Sequence, residues 1–582
     1  MKASELKRKF LAFFLKKGHK VLPNLPLVPE NDPTTLFISA GMQPLVPYLL
    51  GEPHPLGRKL CSLQRCLRTG DIEEVGDVFH LTFFEMLGNW SLGGYWKKES
   101  LSWSYEFLTK VLALNPRRFH VTIFAGDKNA PKDEEAEKIW LSLGIPRQRI
   151  YPLPKEDNWW EAGETGPGGP DSEIFYDIGK SPCSSNCRPG DGCGRFFEMW
   201  NNVFMEYNRK SDGSYERLKQ KNVDTGMGVE RTLAVLQGKD DVFQTDVFAP
   251  IIKEMEKIAS KNYQEENQGP MRIIADHLRA ATFLIADGIM PSNVERGYVL
   301  RRLIRRAIRF GRELQVGDLF TAEIAKIVIE IMKKDYPEFK KKQTLIVQTL
   351  KDEEEKFKKT LERGLKEIEK YETLDGKIAF YLYQTYGIPL EMIQEIAQER
   401  GQKVDKEVFE EEFKRHRGLS RKGAQKKFAG GLADHSPTVT KLHTATHLLH
   451  QALREVLGEH VRQAGSNITP QRIRLDFTHT QPLTENQLRQ VEKIVNDKIS
   501  QNLPVKMEMM TLKEAKKRGA LAFFGEKYGE KVKVYFIGDY SKEVCGGPHV
   551  CLTGEIGGVK IIKEQPVGAG KRRIYATLAH GS

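Results

Sequence analysis

The spacing of apolar and polar positions divides the chain into stretches of different period. The first twenty residues, MKASELKRKFLAFFLKKGHK, interleave charge with apolar side chains and predict an amphipathic helix. From there to about residue 245, short β-like runs alternate with Trp/Phe-rich segments and glycine turns. In WNNVFMEYN (200–208), a period of two puts Asn201, Val203, Met205 and Tyr207 on one strand face. Residues 246–415 turn helical: RIIADHLRAATFLIADG and TLIVQTLKDEEEKFKKTLERGLKEIEKYE repeat apolar residues at three and four. Residues 416–437 are rich in Lys, Arg and Gly with little to bury, and predict a basic linker. A compact α+β segment, 438–582, follows, with strands such as KVKVYFIG. The pattern is that of an α+β multidomain protein without internal repeats.

With 582 residues the chain is too long for one core. No run of about 18 apolar residues exists, so no membrane span is expected. A signal peptide would need a longer apolar region than the N-terminus has, and a small-residue cleavage site. A net charge of +12 favours a polyanionic partner. Seven cysteines, three of them close together at Cys183, Cys187 and Cys193, argue for a reducing compartment, the cytoplasm, over a disulfide framework.

GYVLRRLIRRAIRFGREL (297–314) is the strongest charged feature. On a helix, Arg301, Arg302, Arg305, Arg306, Arg309 and Arg312 fall within roughly 140° of one another, with Leu300, Leu303, Ile304 and Ala307 opposite. Six cations without an acid before Glu313 repel one another unless an anion lies on them. That predicts nucleic-acid phosphate contact over a merely solvated face.

LHTATHLL (442–449) sets His443 and His447 four apart, the spacing of the metal-binding H-E-x-x-H motif. Thr444 stands where that motif has its general base, which disfavours peptidase chemistry. KEVCGGPHVC (542–551) adds Cys545 and His549, also four apart, with glycines that permit a tight turn. The four make an N/S set suited to zinc, and His450 on the same helix face is a rival ligand. Spacing alone leaves core histidines beside a buried thiol as the alternative.

HTATHLLHQALREVLGEHVRQAGS and CGGPH resemble the editing domain of the alanyl-tRNA synthetases, where H-x-x-x-H and C-x-x-x-H bind one zinc. NDPTTLFISAGMQP, FFEMLGNWS, NWWEAGETGPGGPDSEIFYD and VDTGMGVER resemble the catalytic domain of that family, and DGIMPSNVERGYVLRRLIRRA its tRNA-binding helices. The resemblance implies a class II synthetase antiparallel-sheet catalytic domain (1–245), a helical tRNA acceptor-stem recognition domain (246–415), the linker (416–437), and an α+β zinc-containing editing domain (438–582). It implies activation of L-alanine with ATP and magnesium, transfer to tRNA(Ala), and hydrolysis of tRNA charged with serine or glycine. By the same resemblance Arg68 meets the α-phosphate, Arg231 the far phosphates and Trp160 the nucleotide, while Gly228 lets backbone approach it. Asp224 grips the substrate ammonium, Asn201 adds a polar contact and Val203 an apolar wall. Gln463 serves editing, Asn293 reads the acceptor stem, and Arg301, Arg302, Arg305, Arg306 and Arg309 contact tRNA.

Pocket physics explains two active sites in one chain. One missing methyl is worth only about 1–3 kcal/mol, and an apolar pocket rejects an added hydroxyl by about a hundredfold.

Several positions depart from the family pattern. TGDIEE lacks a lysine-containing insert, and Leu81 replaces a second histidine, with His80 as a possible substitute. Gln384 replaces an aspartate that helps read a G·U pair. CSSNCRPGDGC (183–193) resembles a four-cysteine insert with Asp191 in place of the third cysteine, so three thiolates and a carboxylate hold zinc or the thiols are free. No β-barrel precedes the editing helix and no C-terminal dimerisation domain follows, from which a monomer is expected. A stand-alone deacylase and a non-catalytic RNA-binding module are the competing readings; intact Arg68, Asp224 and Arg231 speak against the first, and the second, favoured by the basic helix, requires both chemical sites to be relics.

Overall fold

The computed structural model describes residues 1–29, 35–317, 319–425, 436–479, 481–521, 531–568 and 570–579. Part of NDPTTLFISAGMQP (31–34) and part of the expected linker (426–435) lie outside the described residues. The chain resolves into two compact units: 1–372 with 382–396, and 373–381 with 397–582. Most helices of the expected recognition domain thus belong to the same unit as the catalytic sheet.

In the first unit, helix α1 (Ala3–Lys16) buries Leu6, Phe10, Phe13 and Phe14 at helical spacing. Phe10 and Phe14 pack on Trp200, at ring separations of 5.5 and 6.1 Å. The sheet beneath has nine strands: β1 (Lys20–Val21), β2 (Lys59–Leu67), β3 (Phe83–Leu92), β4 (Phe119–Phe124), β5 (Ile150–Leu153), β6 (Trp159–Glu161), β7 (Gly166–Asp177), β8 (Phe196–Arg209) and β9 (Tyr215–Gly228). Their order is β1-β2-β3-β9-β8-β7-β4-β5, with β6 also paired to β7. All pairings are antiparallel except β1–β2 and β4–β5 at the two edges. The sheet is therefore mixed and antiparallel-rich.

β8 corrects one expectation. Its register with β9 shifts between Met205 and Tyr207. Val203 and Met205 join one apolar cluster, while Tyr207 packs in another with Phe124 and Ala130. A bulge re-aims side chains beyond it, so strict alternation fails there. Gly169 on β7 is required by packing, since a Cβ there would sit 2.1 Å from the Phe204 carbonyl oxygen.

β9 runs into helix α2 (Val229–Leu236), and two long helices follow, α3 (Gln268–Ala286) and α4 (Glu295–Glu313). α3 is buried on all sides. Its Arg279 donates to Glu230 on α2 at 2.5 Å and to the Phe83 carbonyl on β3 at 3.2 Å.

In the second unit, helix α5 (Lys406–Gln425) carries regular backbone through the first ten residues of the expected linker. That stretch has no proline, and Arg, Lys, Gln and Ala are good helix formers, so low hydrophobicity does not stop the helix. Helices α6 (Pro437–Leu457) and α7 (Glu485–Ser500) pack on a four-stranded antiparallel sheet of order β10-β11-β16-β15. Those strands are β10 (Gln463–Thr469), β11 (Arg472–Thr478), β15 (Val559–Gly568) and β16 (Lys571–Leu578). A second sheet joins β12 (Val505–Thr511), β13 (Lys531–Ile537) and β14 (Ser541–Val544).

Candidate functional site

Strand register assembles the first site. Trp90 pairs with Asp224, Asp224 with Val203, and Val203 with Asp171, a row across β3, β9, β8 and β7. The next row runs Gly226, Asn201, Glu173. The Trp90 indole Nε1 donates to Asp224 Oδ1 at 2.6 Å, the one hydrogen bond to that carboxylate among the described residues. Asp224 is 7% exposed, and burial pushes its carboxyl up to about 7. Val203, Trp90, Ala40 and Met42 belong to one apolar cluster, with Trp160 packed against it. A buried carboxylate beside an apolar cluster results.

Asn201 is oriented by two acids that sequence reasoning missed. Its Nδ2 donates to Asp171 Oδ2 and Glu173 Oε1, each at 3.1 Å, which commits both amide hydrogens. Its Oδ1 is buried without a partner, an acceptor aimed at no protein donor. Asp171 also accepts from Asn158 at 2.7 Å, and burial raises its carboxyl to about 7. Glu173 is raised further, by burial first and then by the charges of Glu198 and Asp171.

Arg231 lies one turn into α2, with Nη1 on Glu198 Oε2 at 2.5 Å. Arg68 stands half-buried at the end of β2, its Nε on the Ser39 carbonyl at 3.2 Å and its guanidinium over the Phe84 ring. Gly228 has φ −66°, and an added Cβ would meet only Arg231 Cβ at 3.9 Å, so the protein itself does not demand glycine there. His80 is held on Asp77 at 2.7 Å.

The arginine helix differs from its sequence reading. Arg301 and Arg305 both bind Glu353, at 3.2 and 2.7 Å; Arg306 and Arg309 both bind Glu395 at 2.6 Å; Arg302 binds Glu73 and Glu391. Arg306 also reaches the Ile72 carbonyl and His277. Side-chain exposures run from 7% for Arg306 to 20% for Arg301. The anions that relieve the repulsion are thus the protein's own carboxylates, so the repulsion no longer requires phosphate. Arg312 is exposed, as is Asn293, which accepts from Arg301.

The second site forms where β14 leads into the CGGPH turn beside α6. The ligand atoms of His443, His447, Cys545 and His549 all lie within 4.8 Å of one another. His443 Nδ1 donates to the Pro548 carbonyl at 2.9 Å, and His447 Nδ1 to Glu543 at 2.5 Å. His549 Nδ1 faces the Thr444 hydroxyl at 3.2 Å, and that hydroxyl spends its own hydrogen on the Thr440 carbonyl. All three Nδ1 atoms therefore carry protons, which leaves three Nε2 lone pairs for the centre. Thr444, standing where the metalloprotease motif has its base, orients a ligand. Cys545 Sγ lies 3.3 Å from His443 Nε2. Without a metal, burial opposes its ionisation, but protons on the metal-facing nitrogens of His443 and His447 hold the thiol down at about 3; a metal would take the place of those protons and keep the thiolate. This donor set fits zinc.

His450, held on Glu543 through Nδ1 at 2.7 Å, is not among the converging donors, and its Nε2 is buried without a partner. Gln463 opens β10, opposite Phe477. Glu543, two residues before Cys545, escaped sequence reading although its position on a strand entering the turn was the available signal.

Comparison with known proteins bears on both sites. Residues 5–468 match the family described as tRNA synthetases class II (A), and 532–575 the threonyl and alanyl tRNA synthetase second additional domain. Alanine–tRNA ligase of Treponema denticola is 55% identical over 597 residues, with 99% of each chain covered. That of Borrelia hermsii is 52% identical, covering 99% of this chain and 100% of the relative. That of Lachnoclostridium phytofermentans is 39% identical, and this chain spans 79% of it.

Proposed function

The chain belongs to the class II alanyl-tRNA synthetases, and on that premise we propose that it activates L-alanine with ATP, charges tRNA(Ala), and hydrolyses tRNA bearing serine or glycine at a second, zinc-containing site. The observation that carries the first activity is a buried carboxylate, Asp224, beside an apolar cluster and without a cationic partner among the described residues. A buried charge is costly unless paired, and an amino-acid ammonium is the missing cation. The bare Asn201 Oδ1 accepts a second ammonium hydrogen, and Val203 with Trp90 supplies an apolar wall for the alanine methyl group.

Catalysis then needs cations at the phosphates. Arg68 takes the α-phosphate. Arg231 exchanges Glu198 for the far phosphates, so that Glu198 holds its guanidinium in place until ATP arrives. Trp160 stacks on the nucleotide, and Gly228 opens α2 to it. Glu173 and Glu198, near enough for each to feel the other's charge, are hard oxygen donors suited to the magnesium that accompanies ATP. Held there, magnesium would supply charge neutralisation at the triphosphate.

In the second unit His443, His447, Cys545 and His549 hold zinc, which when bound supplies a Lewis-acidic anchor for the mischarged acceptor end. Gln463, at the start of β10, serves editing. Asn293 and exposed Arg312 are tRNA contacts, while Arg301, Arg302, Arg305, Arg306 and Arg309 shape that surface through their carboxylate partners. The seven free cysteines accord with a reducing cytoplasm, where we place the protein as a monomer.

Alanine-dependent ATP–pyrophosphate exchange tests the first activity; its absence in correctly folded protein would favour a stand-alone deacylase. Serine release from mischarged tRNA(Ala) tests the second. It should fall in Cys545→Ala together with zinc content, and an unchanged rate removes the zinc proposal.

A further inference from the structure

The loop joining β7 to β8 brings together three thiols that neither site uses. Cys183, Cys187 and Cys193 place their sulfurs within 4.8 Å of one another, and Cys187 Sγ lies 3.7 Å from Cys193 Sγ. In a tetrahedral zinc–thiolate centre, bonds of about 2.3 Å set sulfurs about 3.8 Å apart. The loop has no apolar core to explain this convergence: residues 181–186 are all exposed, and only Pro189 and Gly194 are buried up to Arg195. Gly190, Gly192 and Gly194 have φ of +93°, +66° and +72°, a succession of left-handed turns that folds Cys193 back onto Cys187. Arg188 N–H donates to Asp191 Oδ2 at 2.8 Å and closes the turn between them. Asp191 does not join the thiols, and lies with Cys183, Ser184, Asn186 and Arg188 around an open cleft of about 600 Å³. A fourth coordination position therefore faces water.

We propose that Cys183, Cys187 and Cys193 bind a second zinc ion, with water in the fourth position, that staples the loop entering β8. Three soft thiolates select a thiophilic cation. The strand so anchored begins at Phe196 and carries Glu198, Asn201 and Val203, so the ion is a structural support of the alanine pocket.

The test is metal content of the reduced full-length protein. Wild type should hold two zinc ions per chain, Cys187→Ser one, Cys545→Ser one, and the double variant none. Zinc should also protect Cys183 and Cys193 of wild type from alkylation, with at least tenfold faster labelling after chelation. This second measurement decides the question if Cys187→Ser fails to fold. One zinc per chain with Cys187→Ser unchanged, labelling rates indifferent to zinc, or a Cys187–Cys193 disulfide in reduced preparations would overturn the proposal. Loss of zinc only in Cys545→Ser would do so too, while leaving the editing site intact.

Discussion

Asp224→Asn separates stability from function at the alanine pocket. Burial lifts the Asp224 carboxyl from 3.8 to about 7, so the folded chain binds that proton more tightly than the unfolded chain. The group is therefore neutral in its effect below the unfolded value and destabilises progressively as pH rises through about 7. At 1.36 kcal/mol per pH unit, the penalty is about 2 kcal/mol near pH 5 and about 4 kcal/mol near pH 8. Asparagine keeps an oxygen for the Trp90 indole and carries no charge, though its amide hydrogens cost about 1–3 kcal/mol if left unpaired. The variant should gain about 1–3 kcal/mol over wild type near pH 8, and that advantage should shrink by about 2.5 kcal/mol near pH 5. All seven tryptophans lie within the first 200 residues, so urea unfolding followed by intrinsic fluorescence reports the unit that holds Asp224. Alanine-dependent exchange should meanwhile lose about 2–5 kcal/mol in kcat/KM, the cost of removing one member of a buried charge pair. Wild-type kcat/KM for alanine should itself decline below about pH 7 as Asp224 takes up its proton. A pH-independent stability difference refutes the burial argument, and exchange within threefold of wild type refutes the ammonium assignment.

The remaining predictions probe the residues around the two sites. Asp171→Asn gives Asn201 a competing donor, so KM for alanine should rise about 2- to 12-fold with kcat held; an unchanged KM would show the amide is oriented otherwise. Glu543→Gln should weaken zinc retention against a chelator about 10- to 100-fold and slow serine release without touching alanine activation, because both His447 and His450 lose their carboxylate. Arg306→Ala should cost about 1–3 kcal/mol of stability by leaving the Ile72 carbonyl without its donor and Glu395 with Arg309 alone, whereas Arg312→Ala should leave stability unchanged and lower the salt dependence of tRNA binding by about one phosphate contact. If Arg306→Ala unfolds like wild type but binds tRNA poorly, direct phosphate contact by the buried arginines is restored.

Legibility in the sequence followed the range of the interaction concerned. The amphipathic α1, the alternation that pairs Asn201 with Val203, and the two four-residue spacings around zinc are local, and a periodic reading recovers them. The arginine helix shows the opposite limit. Its repulsion was argued from neighbours within one helix, but Glu353, Glu391 and Glu395 arrive from positions about 50 to 90 residues further on and Glu73 from over 200 before. No window on the helix contains them. The same holds for Glu543, which holds the Nδ1 of both His447 and His450 and so fixes the tautomer of each. It holds again for Asp171 and Glu173, whose effect on Asn201 depends on β7 lying beside β8 in one register. In each case the residue proposed to touch substrate or metal stands in a readable motif, and the residue that decides its orientation is an acid on another element. An ionised acid suits that task, because a carboxylate accepts hydrogen bonds and donates none, so Glu543 leaves the imidazoles of His447 and His450 only one way to face. Sequence patterns thus identify what these two sites hold, while the direction in which each group points is a property of strand register and helix packing.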